Sequence, residues 1–259
     1  MLRAHGHTLA LSPLLPAAWR RPAVVLLAIC LAVAAFLGVR YAGHTQPGRL
    51  DSAVDARLQA WLPGSRLVPL TRLGTTAPVT LMTAALVLAC LVTRRWLGAV
   101  LAVVSVPAAG ALTEFILKPF VDRTMHGWLS YPSGHATSMF ALAMTCIVLL
   151  VDPPRRRPSA AVRILLALCA VALAIAVAAT MVALGLHYFT DAVGGTAVGI
   201  ATVLTVTLLL DQAAARALPP AGQAPPTHGM SPVSAEVMGL LRHSVPGGKC
   251  VGGTARDVV

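Results

Sequence analysis

The sequence predicts an all-α polytopic membrane protein, a six-helix transmembrane bundle, and three observations carry the prediction. Apolar residues make up 57% of the 259 positions and charged ones only 11%, which is not the balance of a water-soluble domain. The apolar residues gather in runs close to the roughly 20 residues that cross a bilayer. Arginines fall on alternate connections between those runs, as the positive-inside bias requires.

Three regions follow: a cytoplasmic N-terminal segment (1–21), a six-span membrane domain (22–211) and a mostly disordered cytoplasmic tail (212–259). The first run is Pro22–Ala42. Arg20-Arg21 before it, and Ala32-Val33-Ala34 within it, resemble an export signal with a cleavage site. The run is long for such a signal, and a retained anchor is the favoured reading. Next comes the polar stretch Gly43–Thr76, where "RLDSAVDARLQAWL" sets Leu50, Val54, Leu58 and Trp61 at helical spacing. That spacing predicts a short amphipathic helix lying as a lid on the outer membrane face. Further runs are Ala77–Thr93, Trp96–Leu117, Ala136–Val151, Ile164–Leu186 and Ala192–Leu210. The fourth span, Ala136–Val151, is short unless its helix begins at Ser133. Trp19, Trp96 and Trp128 fall near span ends, where interfacial anchors belong. The tail is rich in Pro and Gly, with a turn or two of helix expected around Val233–Leu241.

A net charge of +11 raises the question of nucleic acid, and the placement of the charge answers it. With the N-terminus cytoplasmic, the inner face receives Arg20, Arg21, Arg94, Arg95, Arg155, Arg156, Arg157 and Arg163, together with the basic tail. The outer face holds fewer, interleaved with Asp51, Asp55 and Asp122. This is membrane orientation, and no nucleic-acid partner is expected. Cys30, Cys90, Cys146 and Cys169 lie within apolar runs without metal or disulfide spacing, and read as small hydrophobes.

The same topology brings three polar clusters to one outer level. "EFILKPFVDRT" closes the third span, "YPSGH" opens the fourth, and "LHYFTDAVGG" joins the fifth to the sixth. Polar groups at that depth are costly without a task. Lys118 and Arg123 offer charge-assisted donors to phosphate. Ser133 and Gly134 read as a helix start whose free N–H groups form an anion site, with His135 directly after them. His187 and Asp191 stand four apart, so a carboxylate can hold one imidazole nitrogen and leave the other as a nucleophile. Plainer readings cover the rest. Glu114 and Lys118 pair at a helix end, Gly195 and Gly199 pack helices, and His44 and His126 are interface residues. No His-x-x-x-His or Cys-rich spacing supports zinc.

These motifs resemble the type 2 phosphatidic acid phosphatase superfamily, the membrane lipid phosphate phosphatases. That family carries Lys-x6-Arg-Pro, Pro-Ser-Gly-His and Ser-Arg-x5-His-x3-Asp, and the resemblance spans about Leu50 to Leu210. Lys118, Pro132–His135, His187 and Asp191 fall on matching positions. Arg123 matches an additional arginine of bacterial relatives. The resemblance implies that His187 attacks phosphorus to form a phosphohistidine, oriented by Asp191. It implies that His135 protonates the leaving oxygen and then activates water. Lys118, Arg123, Ser133 and Gly134 would bind phosphate, and no metal or other cofactor is implied. Both clamp arginines of the family are replaced, by Met125 and Met181.

The resulting expectation is a metal-independent integral-membrane phosphohydrolase. It acts on a lipid phosphate or prenyl diphosphate of the bilayer at the extracytoplasmic face, with both termini cytoplasmic. A lipid-linked phosphotransferase would use the same residues. A non-catalytic lipid-phosphate-binding subunit would not need the His–Asp relay. The residues do not name the lipid or the oligomeric state.

Overall fold

The computed structural model describes residues 13–62, 64–151 and 159–217. The Arg155–Arg157 run and the helical turns expected near Val233–Leu241 lie outside the described residues. Among the described residues are five long apolar helices: α1 (Ala17–Tyr41), α5 with its continuation (Trp96–Val121), α7 (Gly134–Val151), α8 (Ala160–Ala183) and α9 (Phe189–Ala217). The sixth apolar helix, α4 (Thr76–Val92), has 17 residues and reaches about 25 Å at 1.5 Å per residue. Together they bear out the six-helix membrane bundle.

Between α1 and α4 lie α2 (Arg49–Trp61) and α3 (Gly64–Leu73). Helix α5 (Trp96–Ala111) passes through a π-helical stretch, Leu112–Leu117, into the short α6 (Lys118–Val121). A small hairpin of β1 (Thr124–Met125) and β2 (Trp128–Leu129) precedes α7. This short pairing sits within an otherwise helical arrangement of the described residues, in keeping with the all-α expectation. His126 and Gly127 form its tip with φ of 52° and 84°, the left-handed pair that a two-residue hairpin turn needs.

Small residues let the central helices α7 and α9 touch. A Cβ at Gly195 would strike the Ser133 carbonyl, and one at Gly199 the Thr137 carbonyl, so the helix-packing reading of that pair holds. Leu101, Met139, Val148, Val177 and Val203 fill the core around them. The buried hydroxyls of Ser105 and Thr145 are satisfied within their own helices, Ser105 donating to the Leu101 carbonyl and Thr145 to that of Ala141. Exposed Val25, Ile29 and Phe36 on α1, and Leu165 and Leu168 on α8, suit hydrocarbon rather than water.

Two boundaries shift. α7 begins at Gly134, which gives the short fourth run its spanning length. α9 continues to Ala217, past the expected end of the membrane domain at 211. Residues 212–217 contain four alanines and no Gly or Pro, so helical propensity carries the helix on. Asp211 also gains a structural task, accepting the N–H groups of Leu14 and Leu15 at 2.6 and 3.1 Å.

The expectation for α2 is half right. It is a helix, but its buried residues are Asp51 and Asp55, while Leu50 and Trp61 stand exposed. Half-buried Val54 and Leu58 share the inward face. A lid resting its apolar side on lipid is therefore replaced by a helix turned carboxylates-inward, against α8 and α9.

Candidate active site

A cavity of about 990 Å³ opens at the end of the bundle where the three polar clusters meet. Lys118, Gly134, His135 and His187 line that end, together with Glu114. From there the cavity descends between α4 and α5 along apolar side chains that include Val79, Ala84, Val87, Leu91, Val103 and Val106. Four of the expected site residues thus share one wall.

Local structure explains each placement. The π-helical stretch Leu112–Leu117 ends at Lys118. The Lys118 ammonium lies 2.8 Å from a Glu114 carboxylate oxygen. The other Glu114 oxygen sits against the Cα of Gly134, where a Cβ would collide with it. Glycine at the head of α7 therefore keeps space for an acidic group beside the first-turn N–H groups, which have no intrahelical acceptors. Ser133 just before it is fully buried, with a side-chain oxygen that finds no partner. Its backbone N–H is used by the Asp191 carbonyl at 3.0 Å.

His187 ends the turn between α8 and α9, its N–H donating to the Met181 carbonyl at 3.3 Å. The ring lies at the cavity wall with Nδ1 3.6 Å from Asp191 Oδ2. That separation is too long for a hydrogen bond, and Nδ1 has no partner. It does place a fully buried carboxylate behind the ring and leaves Nε2 as the other nitrogen. Asp191 is held tightly from behind. Its Oδ1 accepts from Arg123 Nη1 at 2.6 Å and its Oδ2 from the Tyr188 N–H at 3.1 Å.

Arg123 is the correction. Expected as a phosphate ligand, it does not line the cavity and has no solvent exposure. Its Nη1 also donates to Thr190 Oγ1 at 2.7 Å, and its Nη2 donates to Asp51 Oδ2 at 2.7 Å. The rings of Tyr41 and Tyr188 lie 4.1 and 4.4 Å from the guanidinium carbon. Both terminal nitrogens and the cation's faces are thus committed to protein groups. Asp51, its partner, was missed as a functional candidate because a charge on an amphipathic helix reads as solvated. Burial alone would raise the Asp51 carboxyl, but the Thr190 N–H, Arg123 and Gly48 outweigh it and hold it below its usual range. Asp55 goes the other way. Burial, with Asp51 and Asp191 nearby, raises it to about 6 despite the Phe189 N–H at 3.1 Å.

Met125 is half-buried in the hairpin and Met181 buried in α8, and neither lines the cavity. Among the described residues no group of three His, Cys, Asp or Glu is placed to hold a metal ion.

The comparisons agree with the motifs. Residues 111–214 match the family model of the PAP2 superfamily, which bears out the resemblance. The fold is similar to that of a transmembrane PAP2-type phosphatidylglycerolphosphate phosphatase from Bacillus subtilis. That likeness has a TM-score of 0.56 at 20% identity and covers 72% of this chain and 94% of the other. Comparison with curated proteins returns no match.

Proposed function

We propose that this chain, a multi-pass membrane protein with a PAP2-superfamily match over residues 111–214, removes phosphate from a lipid phosphate at the extracytoplasmic face. One observation carries the reading: two histidines, a lysine and a helix N-terminus share a cavity wall, and a buried carboxylate backs one of the histidines. In the first step His187 Nε2 attacks phosphorus, the N–P bond forms and the P–O bond to the lipid breaks. His135 gives its proton to the departing oxygen. In the second step His135 takes a proton from water, whose oxygen attacks phosphorus and releases phosphate from His187. Asp191 stabilises the imidazole while it carries phosphate. Lys118 and the first-turn N–H groups of α7 hold the non-bridging oxygens, while Ser133, buried and outside the cavity lining, stands behind them. The apolar stretch between α4 and α5 gives the lipid chain a place to lie while its head group sits at the histidines.

The test is turnover of radiolabelled phosphatidate or prenyl phosphate by purified protein. His187→Ala should abolish both turnover and acid-labile phosphoryl-enzyme. His135→Ala should form the phosphoryl-enzyme slowly and lose it slowly. Activity should survive EDTA. An enzyme that needs a divalent ion and is indifferent to loss of His187 defeats the proposal. Transfer of the label to an added alcohol, instead of to water, assigns a phosphotransferase.

A further inference from the structure

Three consecutive backbone N–H groups at the start of α9 are each held by a different carboxylate. Tyr188 donates to Asp191 Oδ2 at 3.1 Å, Phe189 to Asp55 Oδ1 at 3.1 Å, and Thr190 to Asp51 Oδ1 at 2.9 Å. Two of the three come from α2, more than 130 residues earlier in the chain. An α-helix needs acceptors for its first N–H groups and welcomes negative charge there. One local cap commonly meets part of that need. Here a separate helix has turned its charged side inward to supply it.

Arg123 ties the arrangement together. Asp51 Oδ2 and Asp191 Oδ1 lie at 2.7 and 2.6 Å from its two terminal nitrogens, and all three side chains are fully buried. Asp51 therefore reaches Asp191 by two routes, through the guanidinium and through the Thr190 backbone. Asp191 in turn presents Oδ2, which also accepts the Tyr188 N–H, to His187 at 3.6 Å. Asp51 also accepts the Gly48 N–H at 3.0 Å, which fixes the start of α2 itself. A buried ion pair is weak evidence for stability, since apolar side chains of similar volume do as well. What it supplies that apolar groups lack is a set charge and a set direction for the carboxylate at its end.

We infer that Asp51 of α2 is a positioning residue for His187: with Arg123 it fixes the orientation and the effective charge of the Asp191 carboxylate facing the imidazole. The consequence for turnover rests on His187 being the nucleophile; the consequence for the imidazole itself does not. Asp51, Asp191 and Arg123 together carry one net negative charge. With Asp51 neutral, Arg123 and Asp191 cancel, and an imidazolium at His187 loses its nearby counter-charge. The other charged or titratable groups facing this region remain in place: Asp55 on α2, Tyr41 on α1, Tyr188, and Lys118, Glu114 and His135 on the cavity side. The change therefore reads out Asp51 alone.

The experiment is nitrogen-15 histidine NMR of the full chain in lipid nanodiscs, with the His187 signal assigned by its loss in His187→Ala. In Asp51→Asn the His187 titration midpoint should fall by roughly half a unit or more. kcat should fall about tenfold, the loss expected of one charge-assisted hydrogen bond, with KM little changed. Removing both charges in Asp51→Asn with Arg123→Gln should bring the midpoint back toward wild type while kcat stays low. A folded Asp51→Asn protein with an unshifted His187 midpoint overturns the inference. If the single variant does not fold, the double variant decides, since it keeps the one net negative charge of the wild-type cluster, carried by Asp191 alone. Wild-type kcat in that protein overturns the inference equally. A wild-type protein without phosphatase turnover sinks the proposed function instead, and the NMR titration still judges Asp51.

Discussion

Lys118 and Arg123 show how far apart two arginine-or-lysine readings can end. Both were legible as cations at the C-terminal end of the third span. Only Lys118 reaches the cavity, where Glu114 already pairs with it at 2.8 Å. Arg123 is consumed by Asp51 and Asp191. Sequence spacing could not separate them, because Asp51 is 72 positions from Arg123 and Asp191 is 68. With Met125 and Met181 where the family has arginines, little positive charge remains for a dianionic phosphate. Each charge-assisted hydrogen bond is worth roughly 1.5–3 kcal/mol, so two missing arginines weigh heavily in the transition state. A phosphodiester carries one charge fewer. Wild-type protein should therefore act weakly on simple lipid monophosphates and better on a phosphodiester lipid. Met125→Arg should raise kcat/KM on the monophosphate by about tenfold or more and lower it on the diester. Met181→Arg should do the same where its burial allows. Efficient wild-type turnover of monophosphates, with no gain from either arginine, rejects this account.

Helix α2 was visible in the sequence, whereas its orientation was not. Leu50, Val54, Leu58 and Trp61 mark helical periodicity, and the carboxylates beside them look like a solvated face. The acceptor demand of α9 reverses that face, and nothing local to residues 49–61 announces it. The same holds for the π-helical stretch at Leu112–Leu117, which has no compositional mark. The junction of α2 with α9 has a predictable pH response. Asp55 binds its proton more tightly in the folded chain, at about 6 against an ordinary 3.8. Between those values the folded state holds more protons than the unfolded one. The Asp55 contribution to stability therefore falls as pH rises through that window and is more favourable on its acid side. Asp51 is shifted the opposite way, so its contribution is lost only as pH falls below the ordinary carboxylate range. Across the window from about pH 7.5 to about pH 5, Asp55 takes up its proton in the folded chain before the unfolded one, and comparison with a variant that cannot titrate isolates that contribution. Thermal unfolding in detergent should show a larger rise in Tm on acidification for wild type than for Asp55→Asn. The asparagine retains an acceptor for the Phe189 N–H but cannot titrate. Identical pH responses of the two proteins, or a larger rise in the variant, contradict the role given to Asp55.

At the scale of the whole molecule, the two ends of the bundle differ in a way that supports the proposed orientation. One end carries Lys118, Gly134, His135 and His187 at the cavity mouth. The other carries Arg94, Arg95 and Arg163, and two of these cap α7. Arg95 Nη1 donates to the Leu149 carbonyl at 2.6 Å and Arg163 Nη1 to the Leu150 carbonyl at 3.2 Å. Those contacts suit the negative end of a helix dipole, and they fix the arginines at the far end of a helix that begins at the site. α7 has 18 residues, a reach of about 27 Å, comparable with the roughly 30 Å hydrocarbon layer. The two ends therefore lie on opposite faces of the membrane. The proposed orientation, with positive charge retained on the cytoplasmic side, puts the cavity mouth and the hairpin outside. The prediction uses a chain whose cysteines are replaced by alanine, with one cysteine restored at exposed His126 or exposed Ser159. In intact cells a membrane-impermeant maleimide should label position 126. Position 159 should react only after the membrane is opened. Labelling of 159 but not 126 in intact cells would invert the protein, and the site would then draw its lipid from the cytoplasmic leaflet.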